Sequence, residues 1–316
     1  MTQKIIIDTD PGIDDAMAIH MAFADSRLEV VAMTSIFGNV TAEIATRNAL
    51  RLAEMANYDT IICGGANVPS VRAPEPPADF VHGAQGFGTV PAAMPNGKPD
   101  ARPAAEFLCE SCAAAPGEII ICAVGPLTNL AAALAHDPDL VNNVKSVVIM
   151  GGSAAYHGNV TACAEANIWN DPDAADAVFA ADWDVTMVGL DVTEKTQCTP
   201  ADFALLAEKS PNIGGFLNDA AQFYFDFHES KTGLRSCFMH DPSALLAITD
   251  AEVFDFEIMP MEVVCGGDEI GRTRRYSGEG RRAIKVAIGV NSAAARDLFM
   301  ALVADADKIA DTRKAS

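Results

Sequence analysis

Basic residues are scarce in this sequence: 22 Lys and Arg stand against 43 Asp and Glu, a formal net charge of −21. A phosphate backbone or an anionic membrane surface demands a basic patch, so the balance argues against both partners. Also missing is any apolar run long enough to cross a bilayer. The opening MTQKIIIDTD has neither a charged n-region ahead of a long apolar core nor a small-residue cleavage site. A soluble, cytoplasmic protein is expected. Clustered soft metal ligands are absent as well. The eight cysteines are scattered, mostly inside apolar stretches such as IICGG and IIICAVG, where a thiol behaves as a small hydrophobe. The one CxxC, Cys109 and Cys112, sits in a helical-looking EFLCESCAAA with no second pair nearby, so neither zinc nor dithiol chemistry is expected.

What the chain does contain is a core. Of its 316 residues 50% are hydrophobic and 21% charged, the balance of a folded globular protein. Short β-branched runs (KIIID, LEVVAMTSI, TIICGG, GEIIICAVG, VKSVVIMGG, VTMVGLD) alternate with Ala-rich stretches of helical period. That alternation predicts βαβ crossovers, an α/β class and an open, mostly parallel sheet flanked by helices. One domain over 1–316 is expected. The Pro/Gly-rich segment 70–105 suits an active-site loop better than a domain boundary. From Pro200 the pattern turns helical through about residue 250, a segment expected to lie over the active site. The pieces FEIMPMEVVC and AIKVAIGV predict a few antiparallel edge strands, with GRTRRYSGEGRR between them as a solvated hairpin.

The polar residues fall where the strands end. In open α/β sheets ligands collect beyond the carboxyl ends of the strands. After KIII come Asp8, Asp10, Asp14 and Asp15; after VVAMTSI, Gly38-Asn39; after IIICAV, Gly125-Pro126; after VVIM, Gly151-Gly152; and after VTMVGL, Asp191. Asp-Pro-Gly is turn chemistry and an acid favours a helix start, which explains one or two of the four aspartates. The rest repel one another unless a cation neutralises them, and oxygen donors without clustered Cys or His suit a hard divalent ion, Ca²⁺ or Mg²⁺. Asp10 and Asp15 are candidate ligands and Asp14, between them, is free to face substrate. Downstream, HGNVTACAEANIWNDPDAA supplies Asn159, Glu165 and Asn167, groups suited to gripping sugar hydroxyls, or alternatively to closing Asx-turns. FMHDPSALLAI reads as a helix start with Asp241 as cap and Pro242 at its first position, which leaves His240 unexplained. Asp8-Thr9-Asp10 also fits the DxD motif of a haloacid-dehalogenase-like phosphatase, although Gly267-Asp268 leads into no second aspartate.

Taken in order, DTDPGIDDA, Gly38-Asn39, HGAQGFG, AVGPLTNLA, MGG, GNVTACAEANIWNDP, VTMVGLDVT and HDPSALLA resemble the inosine-uridine preferring nucleoside hydrolases over nearly the whole chain. The resemblance implies one Ca²⁺ per subunit and hydrolysis of the N-glycosidic bond of ribonucleosides to free base and ribose. By that similarity Asp10, Asp15, Asp241 and the backbone carbonyl of Val124 would hold the calcium, and Asp10 would act as base on the metal-bound water. Asp14, Asn39, Asn159, Glu165, Asn167 and Asp241 would grip the ribose with Met150 beside them. His240 matches the histidine linked to leaving-group protonation and His82 one near the base pocket. Broad or pyrimidine-tolerant specificity and a homo-oligomer, dimer or tetramer, are implied too. GGSAAYHGN is one residue longer than the expected spacing ahead of Asn159, and FYFDFHESK leaves open which of Phe223, Tyr224, Phe227 and His228 face the base. A nucleoside-binding protein with little turnover is the alternative within the same site.

Overall fold

The computed structural model describes residues 2–315. Its strands are β1 (Gln3–Thr9), β2 (Leu28–Ser35), β3 (Ile61–Gly64), β4 (Ile119–Ala123), β5 (Ser146–Met150), β6 (Val185–Val188), β7 (Gln197–Cys198), β8 (Cys237–Phe238), β9 (Phe254–Met259), β10 (Met261–Val263), β11 (Thr273–Arg275) and β12 (Ile284–Val290). Eight of them form one sheet of order β3-β2-β1-β4-β5-β6-β12-β9, while β10–β11 and β7–β8 are separate two-stranded ribbons. Only β9 runs antiparallel in the large sheet.

Strand β1 shows why the sheet forms here. Its side chains alternate between faces, and helices cover both, so a continuous apolar run can be buried throughout. Ile5 and Ile7 join the core under helix Ile13–Ala24, whereas Ile6 joins the opposite core with Ile121 and Val147. Each fully buried isoleucine contributes roughly 2–3 kcal/mol. The order of strands reverses beside β1: β2 and β3 extend to one side, β4 to β6 to the other. Asp8 pairs in register with Thr34 of β2 and Ala123 of β4, so the carboxyl ends of these three strands lie level around the crevice.

One expected edge differs. AIKVAIGV is β12, which pairs parallel with β6 and antiparallel only with β9, so it lies inside the sheet and not at its edge. FEIMPMEVVC divides at Pro260, which has no N–H to give a ladder, into edge strand β9 and ribbon strand β10. Segment 70–105 also divides. Residues 78–82 form a short helical turn at the crevice, while Asp100 N–H bonds the Ile62 carbonyl at 2.8 Å and fastens the later part to β3.

Candidate active site

The first βα turn is built around glycine. Helix Ile13–Ala24 starts at the Pro-Gly turn, with Asp14 and Asp15 in its first turn. A Cβ on Gly12 would stand 2.6 Å from His82 Nδ1 and 2.9 Å from Asn39 Nδ2, so only glycine lets those side chains close over the turn. Asp15 is clamped there: its Oδ1 accepts Thr9 Oγ1 at 2.5 Å, and its Oδ2 accepts Gly12 N–H at 2.9 Å and Asn39 Nδ2 at 3.0 Å. Asp10 Oδ2 accepts Asn39 N–H at 2.6 Å, while its buried Oδ1 has no protein partner. A Cβ on Gly38 would lie 2.0 Å from Asp10 Oδ2, so that position too requires glycine.

Carboxylate oxygens of Asp14, Asp15 and Asp241 lie within 4.8 Å of one another, all buried, and Asp14 Oδ1 also lacks a partner. Burial, then the neighbouring carboxylates, raises the pKa of Asp10, Asp14 and Asp241 well above the usual range; burial raises that of Asp15 as well. Buried acids with orphaned oxygens are a poor structural solution and a good cation cradle, so the donor set fits a hard divalent ion. Asp14, expected to face substrate, belongs to the tightest trio as well as to the cavity wall. Asp8 is engaged elsewhere: its Oδ1 accepts Thr34 Oγ1 at 2.5 Å and Asn129 Nδ2 at 2.7 Å, and burial pushes its pKa up to about 7.

Above the acids lies a cavity of about 320 Å³, a volume suited to a small ligand. Asp14, Asn39, His82, Val124, Met150, Asn159, Glu165, Asn167, His240 and Asp241 all line it; Asp10 and Asp15 do not. Asn167 spends its Nδ2 on the carbonyls of Val124 (3.0 Å) and Met150 (3.1 Å), which leaves Oδ1 as an acceptor. The Glu165 carboxylate caps helix Ala166–Asn170, taking N–H groups of Asn167, Ile168 and Gly152, and burial raises its pKa. Asn159 is exposed and its Oδ1 accepts Ala166 N–H at 3.0 Å. Asp191, at the expected polar rim, instead ties down the loop after β5 through Ala154 and Ala155 N–H.

Histidine dominates the other end. His82 Nδ1 accepts Ile13 N–H at 3.2 Å and stands 3.8 Å from Asp14 Oδ1. An Nδ1 that accepts a hydrogen bond carries no proton, and burial lowers the His82 pKa to about 3, so this contact is not an ion pair. His240 Nδ1 lies 2.8 Å from Thr193 Oγ1. Its pKa falls to about 3, through burial first and then the nearby His228 and His82. Asp241 does not cap its helix, which begins at His240 with Met239 in the cap position and no side-chain cap.

Of the four open aromatics, Tyr224 and Phe227 line the cavity from helix Ile213–Thr232; His228 packs behind them, edge-on to Tyr224 and Phe238; and Phe223 backs onto Gly88. Trp169 lies under the Arg72 guanidinium at 4.3 Å and does not line the cavity. Trp183 is buried in the core. Sequence reasoning missed Phe80, Lys231 and Thr193. Phe80, two residues before His82, was accessible by adjacency; Lys231 lies one helical turn beyond Phe227.

The inosine-uridine preferring nucleoside hydrolase family matches residues 5–297. The chain belongs to that family. It is 40% identical over 272 residues to uridine nucleosidase 1 of Arabidopsis thaliana, covering 86% of this chain and 81% of that one. It is 38% identical to the inosine-uridine preferring nucleoside hydrolase of Crithidia fasciculata, over 84% of this chain and 85% of the other. Among solved structures, a plant nucleoside hydrolase superposes with TM-score 0.93 at 35% identity, covering 96% of this chain and 99% of its own. A purine-preferring ribonucleoside hydrolase from Gardnerella vaginalis also reaches 0.93, at 31% identity over 97% of this chain and 100% of its own. Family membership overturns the phosphatase alternative, and Asp268 lies exposed in a turn. Among the described residues no helix is long and apolar enough to cross a membrane.

Proposed function

We propose that this nucleoside hydrolase family member hydrolyses the N-glycosidic bond of ribonucleosides in the cavity above Asp14 and Asp241, with calcium as its metal. The observation that carries the reading is the set of buried, mutually repelling carboxylates with orphaned oxygens beneath a rim of Asn and Glu side chains. Asp10, Asp15, Asp241 and the Val124 carbonyl would hold the ion, with Asp14 close enough to share in it. The chemistry such an ion supplies is Lewis-acid polarisation, which acidifies water and anchors sugar hydroxyls.

The chain's own residues do the rest. Asp10 presents Oδ1 without a protein partner, and its carboxylate can accept a proton from the attacking water. Asn167 Oδ1, Asp14, Asn39, Asn159 and Glu165 grip ribose hydroxyls. Bonds that tighten as the ring flattens toward an oxocarbenium ion lower the barrier. Tyr224, Phe227 and His82 wall the base end, where His240 aids departure of the base. This arrangement favours a broad or pyrimidine-tolerant enzyme. Cytoplasmic residence and homo-oligomeric assembly are proposed on family likeness and are checked by fractionation and sedimentation.

Reducing-sugar release from a panel of inosine, uridine, cytidine and adenosine, with and without a calcium chelator, tests the reading. Turnover that the chelator abolishes and calcium restores is the expected result. Tight nucleoside binding without base release would instead make the chain a binding protein, and turnover indifferent to verified metal removal would refute the cation.

A further inference from the structure

Thr193 stands outside the cavity wall, yet its hydroxyl is the one protein group bonded to the His240 ring among the described residues. Thr193 is fully buried and His240 is 8% exposed. Among the described residues the Thr193 hydroxyl has no second hydrogen-bond partner, which decides the direction of the 2.8 Å contact. A hydroxyl carries one proton and two lone pairs. Were it to accept an Nδ1–H, its own proton would be sealed away from both water and acceptor; donating to a bare Nδ1 satisfies both groups at once. The imidazole proton then sits on Nε2.

The seat is rigid on both sides. Thr193 ends the four-residue helix Leu190–Thr193, whose first N–H bonds the Gly152 carbonyl at 2.9 Å and whose Asp191 holds Ala154 and Ala155 N–H at 2.7 and 2.9 Å. On the histidine side, Met239 N–H bonds the Thr196 carbonyl at 2.9 Å, and Ser243 Oγ bonds the Met239 carbonyl at 2.5 Å. The chain leading to Asn159 and the chain leading to His240 are thus both fastened to the segment that carries Thr193.

We propose that Thr193 is a positioning residue: its hydroxyl holds the His240 ring with the proton on Nε2, so that an N–H donor faces the departing nucleobase. The kinetic half of this inference rests on the proposed hydrolase activity; the tautomer does not. Recognition at the base end is then donation from an imidazole N–H to a nitrogen or oxygen of the leaving base.

Two experiments on the full-length protein decide it. Long-range ¹H–¹⁵N correlation spectra of ¹⁵N-histidine-labelled protein at about pH 8, with the signals assigned through His240→Gln, read the tautomer directly. A protonated Nε2 with a bare Nδ1 is expected; a protonated Nδ1 overturns the proposal whether or not the chain turns anything over. In kinetics, Thr193→Val should lower kcat on uridine by about tenfold or more with KM changed under about twofold, and leave p-nitrophenyl riboside, whose leaving group needs little help, within about twofold. Thr193→Ser, which restores the hydroxyl, should recover most of the uridine rate. Equal losses on both substrates, or no recovery with serine, overturn the positioning role. A wild-type protein that releases no base from any nucleoside would refute the hydrolase reading and leave the spectra to judge the tautomer.

Discussion

Replacing Asp10 by asparagine should drive activity and stability in opposite directions. Asp10 Oδ2 is satisfied by Asn39 N–H at 2.6 Å, Oδ1 is unpartnered, and the carboxylates of Asp15 and Asp14 press on it from nearby. Its folded pKa is raised, so the charged form costs stability once the pH exceeds the unfolded value, and the cost grows until the folded pKa is reached. Every tenfold weakening of the acid corresponds to about 1.4 kcal/mol. Asparagine keeps the shape and the acceptor for Asn39 but carries no charge, so the metal-free variant should melt above metal-free wild type near neutral pH. Activity should fall. Proton acceptance by a placed side chain contributes about 10²–10⁴ in rate, roughly 3–5 kcal/mol, and an amide does not accept that proton and ligates calcium without the neutralising charge. Calcium at about 100 times its Kd should stabilise wild type by about 2.7 kcal/mol, and the variant by less. Thermal melts with chelator and with excess calcium, beside kcat from reducing-sugar release, measure all three quantities. A variant with wild-type kcat refutes Asp10 as base; a metal-free variant that melts lower refutes the picture of a charge-strained site.

Removing calcium from wild type should abolish turnover and lower the melting temperature together, which a chelator titration followed by both readouts checks. Deoxyuridine should be a poorer substrate than uridine by about 10⁴ in kcat/KM, because Asp and Asn groups placed for a hydroxyl would be left unpaired; comparable values would contradict that rim. His240→Ala should lose far more rate on uridine than on p-nitrophenyl riboside, and equal losses would leave His240 without a role at the leaving group. His20 is buried with neither ring nitrogen bonded, and burial lowers its pKa to about 3. A histidine with a depressed folded pKa leaves stability intact above about pH 6.5 and removes about 1.4 kcal/mol per pH unit below it, down to the folded value. Urea midpoints at about pH 7.5 and 5.5 should therefore drop further for wild type than for His20→Leu, and parallel drops would contradict a neutral buried ring.

Periodicity made most of the fold legible, because strand and helix each impose a repeat on where apolar residues fall. KIIID and IIICAVG read as buried strands since helices cover both faces of the sheet, and the acids, amides and glycines at their ends marked the ligand rim. The motif DTDPGIDDA, joined to its partners down the chain, points to the family by itself, since few arrangements tolerate so many carboxylates together. Tertiary structure decided what spacing cannot encode. The side chain of Asp8 turns toward Thr34 of β2 and Asn129 of helix Thr128–His136, both distant in sequence, while Asp10 two residues later turns to accept Asn39 N–H. AIKVAIGV reads equally well beside either neighbour, and only packing set it parallel to β6. Tyr224 and Phe227, and not Phe223, reach the base end because helix Ile213–Thr232 docks with that face inward. Thr193 carries no signal in the sequence; its meaning comes from a hydrogen bond across 47 residues to His240, a contact that local physics does not specify and the closed fold does.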